Sequence, residues 1–218
     1  MTNKKKDIIS FLNEIIKNPV CELEYTKDYE LALAVMLSAQ TTDKKVNAVT
    51  RELFSEYDTL EKLSLLSAED VENKIQSIGL AKNKSKYFCE IVNKLKDIKH
   101  IPNDREFIES LNGIGRKSAN VILMELYNEP LIAVDTHVIR VSNRLNLVKS
   151  DSPLEIEKKL YKTFTKKEIA DNSLGHRLVL FGRYFCTSVN PKCDECKLKE
   201  HCKYYKEKKL WIKLLNTN

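Results

Sequence analysis

Residues 109–123, ESLNGIGRKSANVIL, decide how the chain is read. Apolar residues at helical spacing flank a four-residue turn, Asn112-Gly113-Ile114-Gly115, so the segment reads as two helices joined by a tight hairpin. Glycine permits positive φ and close backbone approach. The chain has only 5 Gly in 218 residues, about 2% against a usual value of about 7%, and two of the five stand in this turn. The hairpin opens the second helix, where unpaired N–H groups and the positive end of the helix dipole favour an anion. Gly113, Ile114, Gly115 and Arg116 are therefore candidate contacts to a DNA phosphate, a guest held without reading sequence. An ordinary helix–helix corner also uses glycine and stays open as the alternative.

Lys117 follows in the first helical turn. The dipole disfavours its ammonium form there, and partial burial would add to that effect. A neutral amine can attack a sugar carbon and form an imine; a lysine beside a phosphate site can equally just bind phosphate.

Working outward, scarce Gly and Pro argue for a mainly helical chain. Ile8, Ile9, Leu12, Ile15 and Ile16 predict an amphipathic first helix, and Leu31–Ala39 a buried helix ending at Gln40. Thr42 or Asp43 is expected to cap the next helix, with Val46, Val49, Leu53 and Phe54 facing inward. Ser67 and Asp70 resemble a capping box opening a helix that stops at Gly79. Phe88, Ile91, Val92 and Leu95 mark a further helix, and Asn103 is expected to cap a short one through Leu111. Leu131–Val134 has a strand-like period but no partner nearby. Asp135 then reads as an N-cap, and equally as a carboxylate able to accept a proton or stabilise cationic sugar. His137, two residues on, is a weaker phosphate-contact candidate. Ser152, Pro153 and Glu155 read as cap, first-turn proline and capping-box acid, and a last core helix runs to about Tyr184.

The segment 186–202, CTSVNPKCDECKLKEHC, has the spacing C-x6-C-x2-C-x5-C. Cys186, Cys193, Cys196 and Cys202 together can enclose one metal centre, and zinc or a [4Fe–4S] cluster both accept four thiolates. His201 is a conceivable ligand, while Cys21 and Cys89 stand apart. Residues 183–218 carry nine basic and four acidic side chains, leaving about +1 of the +6 net charge to the rest, which suggests a polyanionic partner. No apolar run reaches the roughly 20 residues needed to span a bilayer, and the N-terminus has no signal-peptide core. A cytoplasmic, nucleoid-associated protein is expected.

Taken in order, LALAVMLSAQTTDKKVN, IGLAKNKS, LNGIGRKSANVIL, AVDTHVIRVSNR, GRYFC and the four-cysteine segment resemble the endonuclease III family of helix-hairpin-helix DNA glycosylases over nearly the whole chain. The resemblance implies an all-α protein of two helical domains with a DNA groove between them. One is a six-helix barrel carrying the hairpin (22–130); the other, discontinuous, is an iron–sulfur domain (1–21 plus 131–218). It implies a [4Fe–4S] cluster on the four cysteines, with Lys192 among the DNA contacts. It implies Lys117 and Asp135 as the catalytic pair, Gln40 filling the hole left by an extruded nucleotide, and Leu80 wedging into the duplex. The implied activity is base excision on double-stranded DNA. An oxidised pyrimidine such as thymine glycol is displaced by Lys117, and the strand is cut 3′ to the abasic site by β-elimination. The implied partner is damaged or abasic duplex DNA, met by a monomer without a membrane.

Two departures stand out: Asn112 where the family usually has Pro, and a single basic residue in 187–192. A monofunctional adenine glycosylase for mispaired DNA is the nearer alternative. It usually lacks the lysine and needs a further C-terminal domain, whereas only 16 residues follow Cys202. A non-catalytic iron–sulfur DNA-binding redox sensor is the other, and an intact Lys117 and Asp135 count against it.

Overall fold

The structure, a computed structural model, describes residues 2–171 and 173–215. The end of the basic tail, 216–218, and the side chain of Lys213 lie outside the described residues. Every regular element among the described residues is helical, and no helix among them is long and apolar enough to cross a membrane. The chain divides into two compact units, 21–128 and 1–20 joined with 129–218.

The 21–128 unit holds α2 (Asp28–Leu37), α3 (Asp43–Glu56), α4 (Leu60–Leu63), α5 (Ala68–Lys74), α6 (Ala81–Ile98), α7 (Arg105–Glu109) and α8 (Arg116–Tyr127). α2 is its axis. Every residue from Tyr29 to Leu37 is buried, and α3, α6 and α8 pack around it, which is why its sequence is apolar all round rather than amphipathic. α6 turns Phe88, Ile91, Val92 and Leu95 inward as its period predicts, but Lys84 and Ser85 are buried on it too.

Some helix ends match the sequence expectations and others depart from them. Thr42 caps α3, and Ser67 with Asp70 closes a reciprocal capping box. α2 ends at Leu37, short of Gln40. α5 ends at Lys74 rather than Gly79, and the chain runs through turns to Leu80, which holds φ 65°. Asp104, not Asn103, caps α7, its Oδ1 accepting from Glu106 N and Phe107 N. A carboxylate one residue later reaches both free N–H groups.

The other unit holds α1 (Thr2–Ile15), α9 (Thr136–Arg144), α10 (Pro153–Thr163), α11 (Lys166–Asp171), α12 (Leu174–Tyr184) and α13 (Lys203–Leu215). Ile8, Phe11 and Leu12 of α1 are buried. Phe11 meets Phe181 and Phe185 edge-on, at centroid distances of 6.1 and 5.6 Å, and those two rings stack at 5.1 Å. α12 also packs on α9. Residues 131–134 form no regular element. Ser152 caps α10 with Pro153 in its first turn, but Glu155 does not reach back to it. Its carboxylate takes the Ser150 hydroxyl at 2.5 Å, and Ser150 Oγ accepts the Ser152 N–H.

Candidate functional site

The candidate residues fall into two sets, one in each unit. In the 21–128 unit the hairpin is built by close contact. Gly113 holds φ 81°, and a Cβ there would lie 2.9 Å from both Met36 Cγ and Tyr87 Cδ2, so only glycine lets the turn seat on α2 and α6. Gly115 differs: its backbone is extended, and a Cβ there would meet nothing within 4 Å. Gly115, which opens α8, thus faces open space and has no side chain with which to cap the helix. That is the geometry in which first-turn N–H groups receive an anion. Ile114 is buried and donates its N–H to Leu111 O, which makes it the anchor of the hairpin. Asn112, standing where proline was expected, donates its amide to Glu90 of α6 and ties the turn down. Arg116 and Lys117 are exposed. Lys117 is therefore not partly buried, as the sequence reading allowed. Its positive charge is felt by the Cys21 thiol, which burial nevertheless pushes up to about 12.

In the same unit Gln40 and Leu80 both hold left-handed backbone conformations, φ 55° and 65°, with exposed side chains. The turn at Gly79 lies against Gln40, whose carbonyl oxygen is 3.9 Å from where a Gly79 Cβ would stand.

In the other unit Asp135 is the N-cap of α9. Its Oδ1 accepts from His137 N and Val138 N, both at 2.9 Å. The cap fixes the carboxylate while Oδ2 stays outside it. His137 is half-buried at the crossing of α9 and α12; a Cβ on Gly182 would stand 2.8 Å from His137 Cβ. Burial lowers the His137 pKa, the Asp135 charge opposes this, and Arg140 and Arg183 add to it. The neutral ring fits its contact with Arg140, whose Nη2 lies 3.1 Å from Nδ1.

Cys186, Cys193, Cys196 and Cys202 are free thiols. They line one small pocket with Leu145, Phe181, Phe185 and Tyr205. Burial raises the Cys196 thiol to about 11, and the other three cysteines push it the same way. Among the described residues no three His, Cys, Asp or Glu side chains converge as a single metal ion would require. His201 is turned elsewhere, its Nε2 2.8 Å from Asp7 Oδ2. Exposed Lys192 lies at the pocket mouth.

The sequence reading missed three residues. Arg140 and Arg144, one turn apart on α9, hold the chain that enters the cysteine segment. Arg140 donates to Gly182 O and Cys186 O at 2.6 and 3.0 Å. Arg144 donates to Thr187 O at 2.6 Å and to Cys186 Sγ at 3.4 Å, and covers the Tyr204 ring. The third is Lys84, 3% exposed. Its one sequence signal is position: a lysine on the same face of α6 as Phe88, Ile91 and Leu95.

Residues 33–166 match the HhH-GPD superfamily of base excision DNA repair proteins. The chain is 42% identical over 208 residues to endonuclease III of Rickettsia conorii, covering 94% of this chain and 96% of that protein. It is 36% identical over 207 residues to endonuclease III of Escherichia coli K12, covering 94% and 97%. In structure it is similar to a trapped endonuclease III–DNA covalent intermediate, with a TM-score of 0.86 at 38% identity over 94% of this chain and 98% of that one. With an uncapped glycine hairpin, a lysine in the first turn behind it and these likenesses, the chain belongs to the HhH-GPD superfamily of base excision DNA repair proteins, in its endonuclease III family.

Proposed function

We propose that this chain is a bifunctional DNA glycosylase and abasic-site lyase acting on oxidised pyrimidines in duplex DNA. The observation that carries the reading is Lys117, an exposed amine in the first turn of α8 directly behind the open hairpin, in a chain similar to an enzyme trapped as a covalent DNA intermediate. The N–H groups that open α8, with Arg116, take a backbone phosphate, which brings a deoxyribose within reach of Lys117. The amine attacks C1′, the C1′–N bond breaks, and its electron pair leaves with the base. Opening of the sugar ring gives an imine. This acidifies the C2′ proton, whose removal expels the 3′ phosphate oxygen and cuts the strand. Asp135, held rigid by its cap, serves as proton acceptor and as counter-charge to the cationic sugar. Gln40 and Leu80 occupy the stack the extruded nucleotide leaves, since flipping costs a few kcal/mol of lost stacking. His137 and Lys192 add backbone contacts, and the protein acts as a monomer.

The four thiols suit a [4Fe–4S] cluster. They wall one pocket with an aromatic and aliphatic lining, and an arginine donates to one sulfur. Bound there, the cluster supplies Fe–S bonds that cross-link four points of 186–202. Arg140 and Arg144 orient that segment whether or not it takes part in DNA binding.

Borohydride trapping on duplex DNA with one abasic site tests the reading. The wild-type protein is expected to form a covalent adduct and Lys117→Ala to form none while still binding the duplex. An adduct with Lys117→Ala at the wild-type rate would sink the assignment. Wild-type binding without any adduct would favour the monofunctional or non-catalytic alternatives. The same anaerobic preparation is expected to contain about four iron and four sulfide per chain.

A further inference from the structure

Gln40 and Leu80 are the strained points of two loops that lie side by side. Left-handed backbone is uncommon for residues other than glycine, and for a branched apolar side chain it is an outlier. Such conformations persist only where the surroundings over-determine them, and they gather at functional sites. Here the surrounding group is Lys84. It stands one helical turn past Leu80, and its N–H donates to Leu80 O at 3.0 Å. Its side chain crosses to the other loop. The ammonium donates to Leu37 O at 2.8 Å, to Ala39 O at 2.6 Å and to Thr41 Oγ1 at 3.0 Å. Those three acceptors bracket Gln40 and use all three N–H donors of the lysine.

Packing alone gives no reason for an ammonium at this place. Its three partners are uncharged oxygens, and a buried charge without a counter-ion is costly; burial accordingly lowers the Lys84 pKa. An apolar chain would fill the same volume on the buried face of α6. What the ammonium adds is a three-way tie. Leu37 O and Ala39 O lie at and just past the end of α2, where carbonyls lack helical partners and the dipole favours a cation.

We infer that Lys84 is a positioning residue, a buried clamp that joins the Gln40 loop to the Leu80 loop so that the two side chains enter a duplex as one rigid unit. This rests on the reading above, in which both residues fill the space of an extruded nucleotide. Two independently mobile loops would each have to be ordered when the base leaves. A joined pair is ordered in advance, so more of the binding free energy is available to hold the flipped state.

The test compares one abasic-site oligonucleotide as a duplex and as a single strand, by single-turnover borohydride trapping at saturating protein. Only the duplex has a stack to refill, so the ratio of the two rates reports the plug and not Lys117. Lys84→Met keeps the bulk of the stem and removes the donors. Thr41→Val removes one acceptor at a partly exposed position and decides the matter should Lys84→Met fail to fold. Lys84→Met is expected to lower the duplex rate by about tenfold with the single-strand rate within about twofold of wild type. Thr41→Val should move the ratio the same way by less. A wild-type ratio in both variants, or equal loss on both substrates, overturns the clamp. Gln40→Ala and Leu80→Ala separate the two layers. If neither changes the ratio, the plug reading fails and takes the clamp with it. If both lower it while Lys84→Met and Thr41→Val do not, the clamp alone fails.

Discussion

In the proposed mechanism Asp135 does two jobs with one side chain, and its two oxygens divide them. Oδ1 caps α9, while Oδ2 and the charge are left for chemistry. Substitution separates the roles because asparagine caps as well as aspartate does. Asp135→Asn is expected to unfold at the wild-type urea midpoint yet lose most strand cleavage. Asp135→Ala should lose cleavage and also about 1 kcal/mol of stability. Equal destabilisation by both would mean that the carboxylate serves the fold through contacts beyond the cap. Lys117 teaches a related lesson. Its place in the first turn was readable from Gly113 to Ser118, but its exposure depends on what neighbouring elements leave open, and local sequence carries no such record.

Among the elements, the hairpin shows why two glycines in one turn are not equivalent. Gly113 is required by φ 81° and by the side chains of Met36 and Tyr87 pressed against it. Gly115 has an ordinary extended backbone facing open space. Gly113→Ala is expected to cost about 1–3 kcal/mol in urea unfolding. Gly115→Ala should change stability by under about 1 kcal/mol. It should instead weaken duplex binding, measured by fluorescence anisotropy, because a methyl group would stand where a phosphate approaches. Similar stability losses from both would contradict this division. The helix ends repeat the pattern. Where one polar residue had no rival, as at Ser67 and Asp135, the cap was legible. Where Asn103 and Asp104 stood together, or Glu155 had Ser150 within reach, three-dimensional distance chose.

At the scale of the whole molecule, one unit is assembled from both ends of the chain. α1 contributes Ile8, Phe11 and Leu12 to a core otherwise drawn from residues after 128, and Phe11 is set against Phe181 and Phe185. Phe11→Ala is therefore expected to cost about 3–5 kcal/mol, the range for a buried aromatic removed from a packed core. Urea unfolding followed by circular dichroism measures it, and a loss under about 1 kcal/mol would mean that α1 merely rests on that core. The amino-acid order by itself determined the helical class, the hairpin, the capped aspartate and the four-cysteine segment. Each is written in residues within a few positions of one another, where backbone geometry and hydrogen-bond reach are local. Which ends of the chain share a core was implied only by the family resemblance and by no local pattern, and only the tertiary structure decided that Lys84 is sunk beneath Gln40. Those depend on contacts between residues tens to more than a hundred positions apart, and burial is a property of the packed whole that no short window of sequence contains.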